Sequence, residues 1–320
     1  MIAMSGRIAA IAGRQEKDGK VTLLVGAASG GVWKSEDGGT NFKPVFDKQP
    51  VKSIGAVALD PSNKDVMWVG TGESWTRNSV SVGDGVYKSV DGGETWTKAG
   101  LAGTERITKI LVHPKNGNIV YVCAPGALWS DSADRGLYKT TDGGRTWSLI
   151  VKGSNLSTGC SDVTMDPANP DHLFAGTWDF RRRPDSFRSG GDGPNAPSGS
   201  LLLESRDGGK SWTELNAANA KGLPKQPWGR VAVEIAPSDP KRVYAVIENV
   251  RTALYASADG GKTWVLPISA VIRATNSSSR SRRIRPAART TPARSPKLVR
   301  RQAWKASWTL AAMAKASASE

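Results

Sequence analysis

The sequence predicts an all-β protein: a β-propeller of about five four-stranded antiparallel blades, in an incomplete ring. Two observations carry this. One eight-residue motif occurs five times, its central Asp at positions 37, 91, 142, 207 and 259, at spacings of 54, 51, 65 and 52. The same succession of short apolar strands surrounds every copy, with no helical periodicity between copies. Four strands repeating every ~50 residues form one propeller blade.

The copies are SEDGGTNF (Ser35 to Phe42), SVDGGETW (Ser89 to Trp96), TTDGGRTW (Thr140 to Trp147), SRDGGKSW (Ser205 to Trp212) and SADGGKTW (Ser257 to Trp264). A short strand precedes each, such as Gly85 to Lys88, and another follows, such as Thr97-Lys98. Asp-Gly-Gly is therefore a hairpin turn between the third and fourth strands. Its carboxylate accepts N–H groups of its own turn, and its glycines supply positive φ. The first strands are Arg7 to Ile11, Gly55 to Leu59, Arg106 to Leu111, Asp162 to Met165 and Arg230 to Ile235. The second are Val21 to Val25, Val66 to Val69, Ile119 to Val122, His172 to Ala175 and Arg242 to Val246. The blades then span 1–47, 48–101, 102–153, 154–220 and 221–266, leaving 267–320 as a basic low-complexity tail.

Composition narrows the chemistry. Two His and two Cys exclude a His-rich metal site, a Cys-rich zinc module and a disulfide scaffold, so no metal and no cofactor is expected. No apolar run reaches the ~18 residues of a membrane span. Cys123 ends a second strand and Cys160 begins a first strand in the next blade; they read as two buried thiols, with a bridge as the alternative. Of the net charge of +15, the tail carries +11 and the other 266 residues +4. The tail lacks Gly, Asp, Tyr and Phe. It reads as disordered or out-of-frame sequence, ahead of a nucleic-acid-binding arm. The N-terminus shows no charged segment followed by an apolar core, so no signal peptide is read there.

Blade topology puts the first–second strand turns and the motif hairpins on one face. Asp37, Asp91, Asp142, Asp207 and Asp259 are thus turn formers. The long insertions lie on the opposite, loop face, where ligands are expected. They are the segments opening at Glu73 and at Trp129, and the one running from Trp178 to Gly199. Arg7, Arg106 and Arg230 hold equivalent places at the start of innermost strands and should ring the channel mouth, an arrangement suited to a carboxylate. With Trp75, Arg77 and Trp178 they are the candidate ligand contacts; Glu73 and Asp179 are the candidate acids.

The five copies resemble Asp-box (BNR) repeats, found in sialidases, xyloglucan-cleaving glycoside hydrolases and the sortilin/VPS10 propeller. Met4 to Ile8, Ala27 to Lys34 and Val69 to Glu73 resemble the large bacterial sortilin-like or "glycosyl hydrolase, BNR repeat" proteins. The resemblance covers residue 4 to about 266. It implies first a module binding a peptide or glycan on its loop face, and alternatively a glycoside hydrolase propeller, incomplete here. A sialidase needs a Tyr nucleophile, but Tyr87, Tyr138 and Tyr255 share one repeat position, and Tyr121 and Tyr244 another. The first acid of a xyloglucanase would precede Gly30-Gly31, where Ala27-Ala28-Ser29 stands. Such proteins are usually longer and exported, so five blades of a secreted or periplasmic parent are expected. Self-association would then run through Ile8, Ile11, Leu24 and Val32 at one end and Val231, Val233, Val243 and Leu254 at the other.

Overall fold

The computed structural model describes residues 7–191 and 197–266; the basic tail and Met4 to Gly6 lie outside the described residues. Five antiparallel sheets follow one another along the chain, each with its strands in sequence order. The first holds β1 (Ile8–Gln15), β2 (Val21–Ala27), β3 (Val32–Ser35) and β4 (Lys43–Pro44). The second holds β5 (Ile54–Leu59), β6 (Met67–Thr71), β7 (Val86–Ser89) and β8 (Thr97–Lys98). The third holds β9 (Lys109–Val112), β10 (Val120–Ala124), β11 (Gly136–Thr140) and β12 (Ser148–Val151). The fourth holds β13 (Thr158–Met165), β14 (Leu173–Arg182), β16 (Leu202–Ser205) and β17 (Thr213–Leu215), with β15 (Phe187–Ser189) paired to the far end of β14. The fifth holds β18 (Val231–Ile235), β19 (Val243–Ile247) and β20 (Ala253–Ser257). Its fourth strand is reduced to one bridge, Ala256 to Val265.

The apolar cores lie between sheets. Trp68 and Val86 meet Ile107, Ile110 and Tyr138 between the second and third; Phe174 and Leu202 meet Val231, Val233 and Val243 between the fourth and fifth. Leu24 and Val32 pack the same way toward the second sheet. This corrects the expected outer faces. Leu24, Val32, Val231, Val233 and Val243 are fully buried, because strand alternation turns them inward to their neighbours. Of that set only Ile11 is open, at 56 %. The cysteines correct a second expectation: Cys123 of β10 and Cys160 of β13 form a disulfide between the third and fourth sheets.

The five Asp-boxes share one bonding pattern. In the third, Thr140 Oγ1 donates to Asp142 Oδ1 at 2.7 Å, the Arg145 and Thr146 N–H groups donate to the same oxygen at 3.0 Å, and Thr146 Oγ1 reaches Oδ2 at 2.6 Å. Both box glycines have φ between 70° and 98°, which a side chain rarely adopts. The first glycine donates to the first–second strand turn of its own sheet, as Gly92 to Asp65 O, Gly143 to Asn118 O and Gly208 to Asp171 O. Boxes and those turns therefore share a face. A lysine of the third strand then latches the next sheet's box: Lys34 to Gly92 O, Lys88 to Gly143 O and Lys139 to Gly208 O, at 2.7–3.0 Å. The fourth sheet has Glu204 at this position, paired instead with His172.

Inner strands of the first, second and fourth sheets each carry a register shift, beside Ala9, Gly55 and Ser161. Such bulges re-aim side chains at a rim. A Cβ on Gly55 would lie 2.1 Å from Ile107 O, so the bulge tolerates only glycine there. No helix among the described residues is long and apolar enough to cross a membrane.

Candidate functional site

The five inner strands line a central cavity of about 360 Å³, walled by backbone and small side chains of β1, β5, β9, β13 and β18. Toward the loop face, Ser74, Trp75 and Arg230 join the wall. Across the cavity, Lys109 Nζ of β9 donates to Asp162 Oδ1 of β13 at 3.0 Å and to Glu234 Oε2 of β18 at 2.9 Å. The acids are tied in further: Asp162 Oδ2 accepts the Val233 N–H, and Glu234 Oε1 accepts the Thr164 hydroxyl. Burial alone would lower the Lys109 ammonium, but the two carboxylates outweigh it and hold it above its ordinary value. Sequence reasoning missed this triad. Its signal was present: one charged residue in each of three otherwise uncharged inner strands.

Above the channel, loops of three blades meet. Leu128 of the third blade packs with Trp178 and Phe180 of β14, and Val80 of the second blade and Phe187 of β15 close the cluster. Trp178 and Phe180 rings lie 4.5 Å apart. Arginines cover the rings: Arg230 over Trp178 at 5.2 Å and Arg135 over Phe180 at 4.6 Å. Arg135 is buried and donates to the carbonyls of Pro125, Ala127, Ser130 and Ser157, which shapes the third-blade loop and leaves Trp129 44 % exposed.

The candidates from sequence take distinct places. Arg230 lines the cavity beside half-buried Trp75. Arg7 pairs with buried Glu73, and exposed Arg77 stands near enough for its charge to lower Arg7 further, after burial. Arg106 is buried and pairs with Glu105 at 2.6 Å. Trp178 is buried, its indole N–H donating to Ser189 Oγ at 2.8 Å, so its ring serves the loop cluster. Asp179 is fully buried. Oδ1 accepts Ser157 Oγ at 2.6 Å and Arg188 at 2.8 Å; Oδ2 accepts Asn155 Nδ2 at 2.9 Å and the Gly199 N–H at 3.1 Å. Four donors fill that carboxylate.

Comparison with known proteins agrees with this architecture. The Sortilin-Vps10 family (sortilin, neurotensin receptor 3) matches residues 30–174. A probable oligoxyloglucan-reducing end-specific xyloglucanase of Neosartorya fischeri is 26% identical over 242 residues, covering 65% of this chain and 26% of the relative. A xyloglucanase of Hypocrea jecorina is 27% identical over 205 residues, 63% of this chain and 19% of its own length. The chain thus spans about a quarter or less of these relatives. Among solved structures, the GH74 xyloglucanase of Xanthomonas campestris superposes with a TM-score of 0.58 at 22% identity, over 82% of this chain and 38% of that one. Five hairpins with one carboxylate-centred bonding pattern, in five successive antiparallel sheets that superpose on such an enzyme, make this chain an Asp-box (BNR) repeat β-propeller, similar over part of their length to the sortilin/Vps10 and xyloglucan-cleaving proteins.

Proposed function

We propose that this chain is a polysaccharide-binding propeller of the xyloglucanase type, holding its glycan across the channel mouth on the loop face. The observation that carries the reading is Trp75, a half-buried indole in the cavity wall beside Ser74 and Arg230. A flat apolar ring next to hydrogen-bonding groups suits a sugar, which has apolar faces and polar edges. Of the two ligand classes that the sequence left open, peptide and glycan, the xyloglucanase relatives support the glycan. Hydrolysis needs one carboxyl group that can give a proton and a second that stays ionised. Asp162 and Glu234 face the cavity but share Lys109, Glu73 is held by Arg7, and Asp179 is filled by internal donors. We therefore assign this chain binding, and assign cleavage to no pair of its described residues. The Cys123–Cys160 bridge supports export to an oxidising compartment.

Affinity electrophoresis through gels containing xyloglucan, arabinan or polygalacturonate tests the reading. Retarded migration in at least one gel, abolished by Trp75→Ala at unchanged melting temperature, is expected. Free migration in all three, with capture instead on a column of immobilised peptides, would overturn it.

A further inference from the structure

Charge divides between the two faces of the propeller. Ten of the fourteen arginines in residues 7–266 lie in loop-face segments, whereas the first–second strand turns and box hairpins opposite are rich in lysine. The arginines concentrate on one seam. The Arg182 guanidinium donates to Asn78 Oδ1, tying the fourth-blade hairpin to the second-blade loop. Arg77 adjoins Asn78 on one side of that contact and Arg183 adjoins Arg182 on the other; both are exposed, and neither has a carboxylate partner among the described residues. Among the described residues, nearby acids have other partners: Glu73 with Arg7, Asp131 with Arg181, and Asp185 with the Ser186 hydroxyl at 3.1 Å. The buried Thr76 hydroxyl beside Arg77 has no hydrogen-bond partner among the described residues. The apolar cluster of Leu128, Trp178, Phe180 and Phe187 beneath the seam holds its two sides in place.

We propose that this seam recognises carboxylate groups on the glycan, so that the ligand is an acidic polysaccharide; the inference rests on the glycan-binding reading above. Guanidinium is the cation suited to the task. Its planar fork pairs with a carboxylate through two parallel N–H···O bonds, and it sheds water more readily than an ammonium. Two exposed guanidiniums on opposite sides of a fixed contact match acidic groups repeated along a stiff chain. A surplus of one charge around a channel mouth also gathers oppositely charged ligand from solution, an effect that salt weakens. Burial chiefly lowers Arg135 to about 10; the charges of Arg181 and, less, Arg106 add to it, while Asp131 and Asp179 oppose it. Uronate and sialate both supply a ring-borne carboxylate, and separate probes distinguish them.

The test compares the full chain with Arg77→Gln/Arg183→Gln. A charge-matched control, Lys115→Gln/Lys241→Gln, changes two exposed lysines on the opposite face. The tail is common to all three proteins, so differences among them report on the seam. Probes are polygalacturonate, its methyl ester, polysialic acid, xyloglucan and poly-glutamate, at low and at physiological salt. We expect free-acid glycan to bind about tenfold tighter than its ester, an advantage of about 1.4 kcal/mol that the arginine variant loses and the lysine variant keeps. The better of polygalacturonate and polysialic acid names the acid. Equal binding of acid and ester, equal loss in both variants, or tighter binding of poly-glutamate than of either acidic glycan would each overturn the inference. Xyloglucan binding without acid preference leaves the glycan reading standing; no polysaccharide binding defeats both.

Discussion

Asp179→Ala separates a structural carboxylate from a chemical one. The native side chain is fully buried and carries Arg188, Ser157, Asn155 and the Gly199 N–H on its two oxygens. Truncation leaves the Arg188 cation facing orphaned polar groups. Breaking a buried pair this way costs ~3–5 kcal/mol. Arg188 is 20% exposed, so water recovers part of the loss and the low end, ~3 kcal/mol, applies. In a domain of this size each kcal/mol moves the melting temperature by about 2–4 °C, so a fall of about 6–12 °C is expected by differential scanning calorimetry. Asp179→Asn keeps the shape and one acceptor and should fall less, by ~1–3 kcal/mol. Glycan retardation measured well below the new melting temperature should persist in both variants. An unchanged melting temperature with abolished binding would refute the structural assignment and make Asp179 a ligand-contacting acid.

Three further outcomes follow from the same geometry. The Asn41 N–H, then the Asn41 and Ser35 side chains, hold Asp37 at about 2; at Asp259 a burial effect in the opposite direction is outweighed by Thr263 and Ser257, again giving about 2. Box stability is therefore complete above the unfolded carboxylate value of about 3.9 and drains away as pH falls through about 2, so acid titration by circular dichroism should show a loss that Asp142→Ala shares in part without loss of ligand binding. Reducing the Cys123–Cys160 bridge opens a loop of 37 residues, and the chain-entropy estimate of about 4 kcal/mol predicts a lower melting temperature in reductant; no change would mean that the thiols are unlinked in solution. Self-association, proposed from the outer faces of the first and fifth sheets, now rests on Ile11 with partly exposed Ile8 and Leu254, and light scattering should show a dimer that Ile11→Lys disperses; a monomer at every concentration defeats it.

Repeat period, strand order and hairpin chemistry were legible in the linear sequence because they are local. Each box closes its bonds within a few residues, as Asp142 does between Thr140 and Thr146, and each strand shows alternation over its own length. The lysine latch was hidden although Lys34, Lys88 and Lys139 sit at one repeat position, because its acceptor is a backbone carbonyl in the next sheet. The sidedness of Leu24 and Val231 was likewise hidden. Alternation says that a strand has two faces, and only packing says which one meets a neighbour.

The sequence by itself determined the blade as a unit, the five boxes and the face on which the long loops gather. Tertiary structure decided which side chains meet there. It joined Cys123 to Cys160, filled Asp179, drew Lys109, Asp162 and Glu234 from three strands onto one axis, and brought Arg182 to Asn78 across 104 residues of chain. Those pairings depend on how neighbouring sheets pack and how far each loop reaches. Such contacts couple residues distant in sequence through space, and no local pattern encodes them.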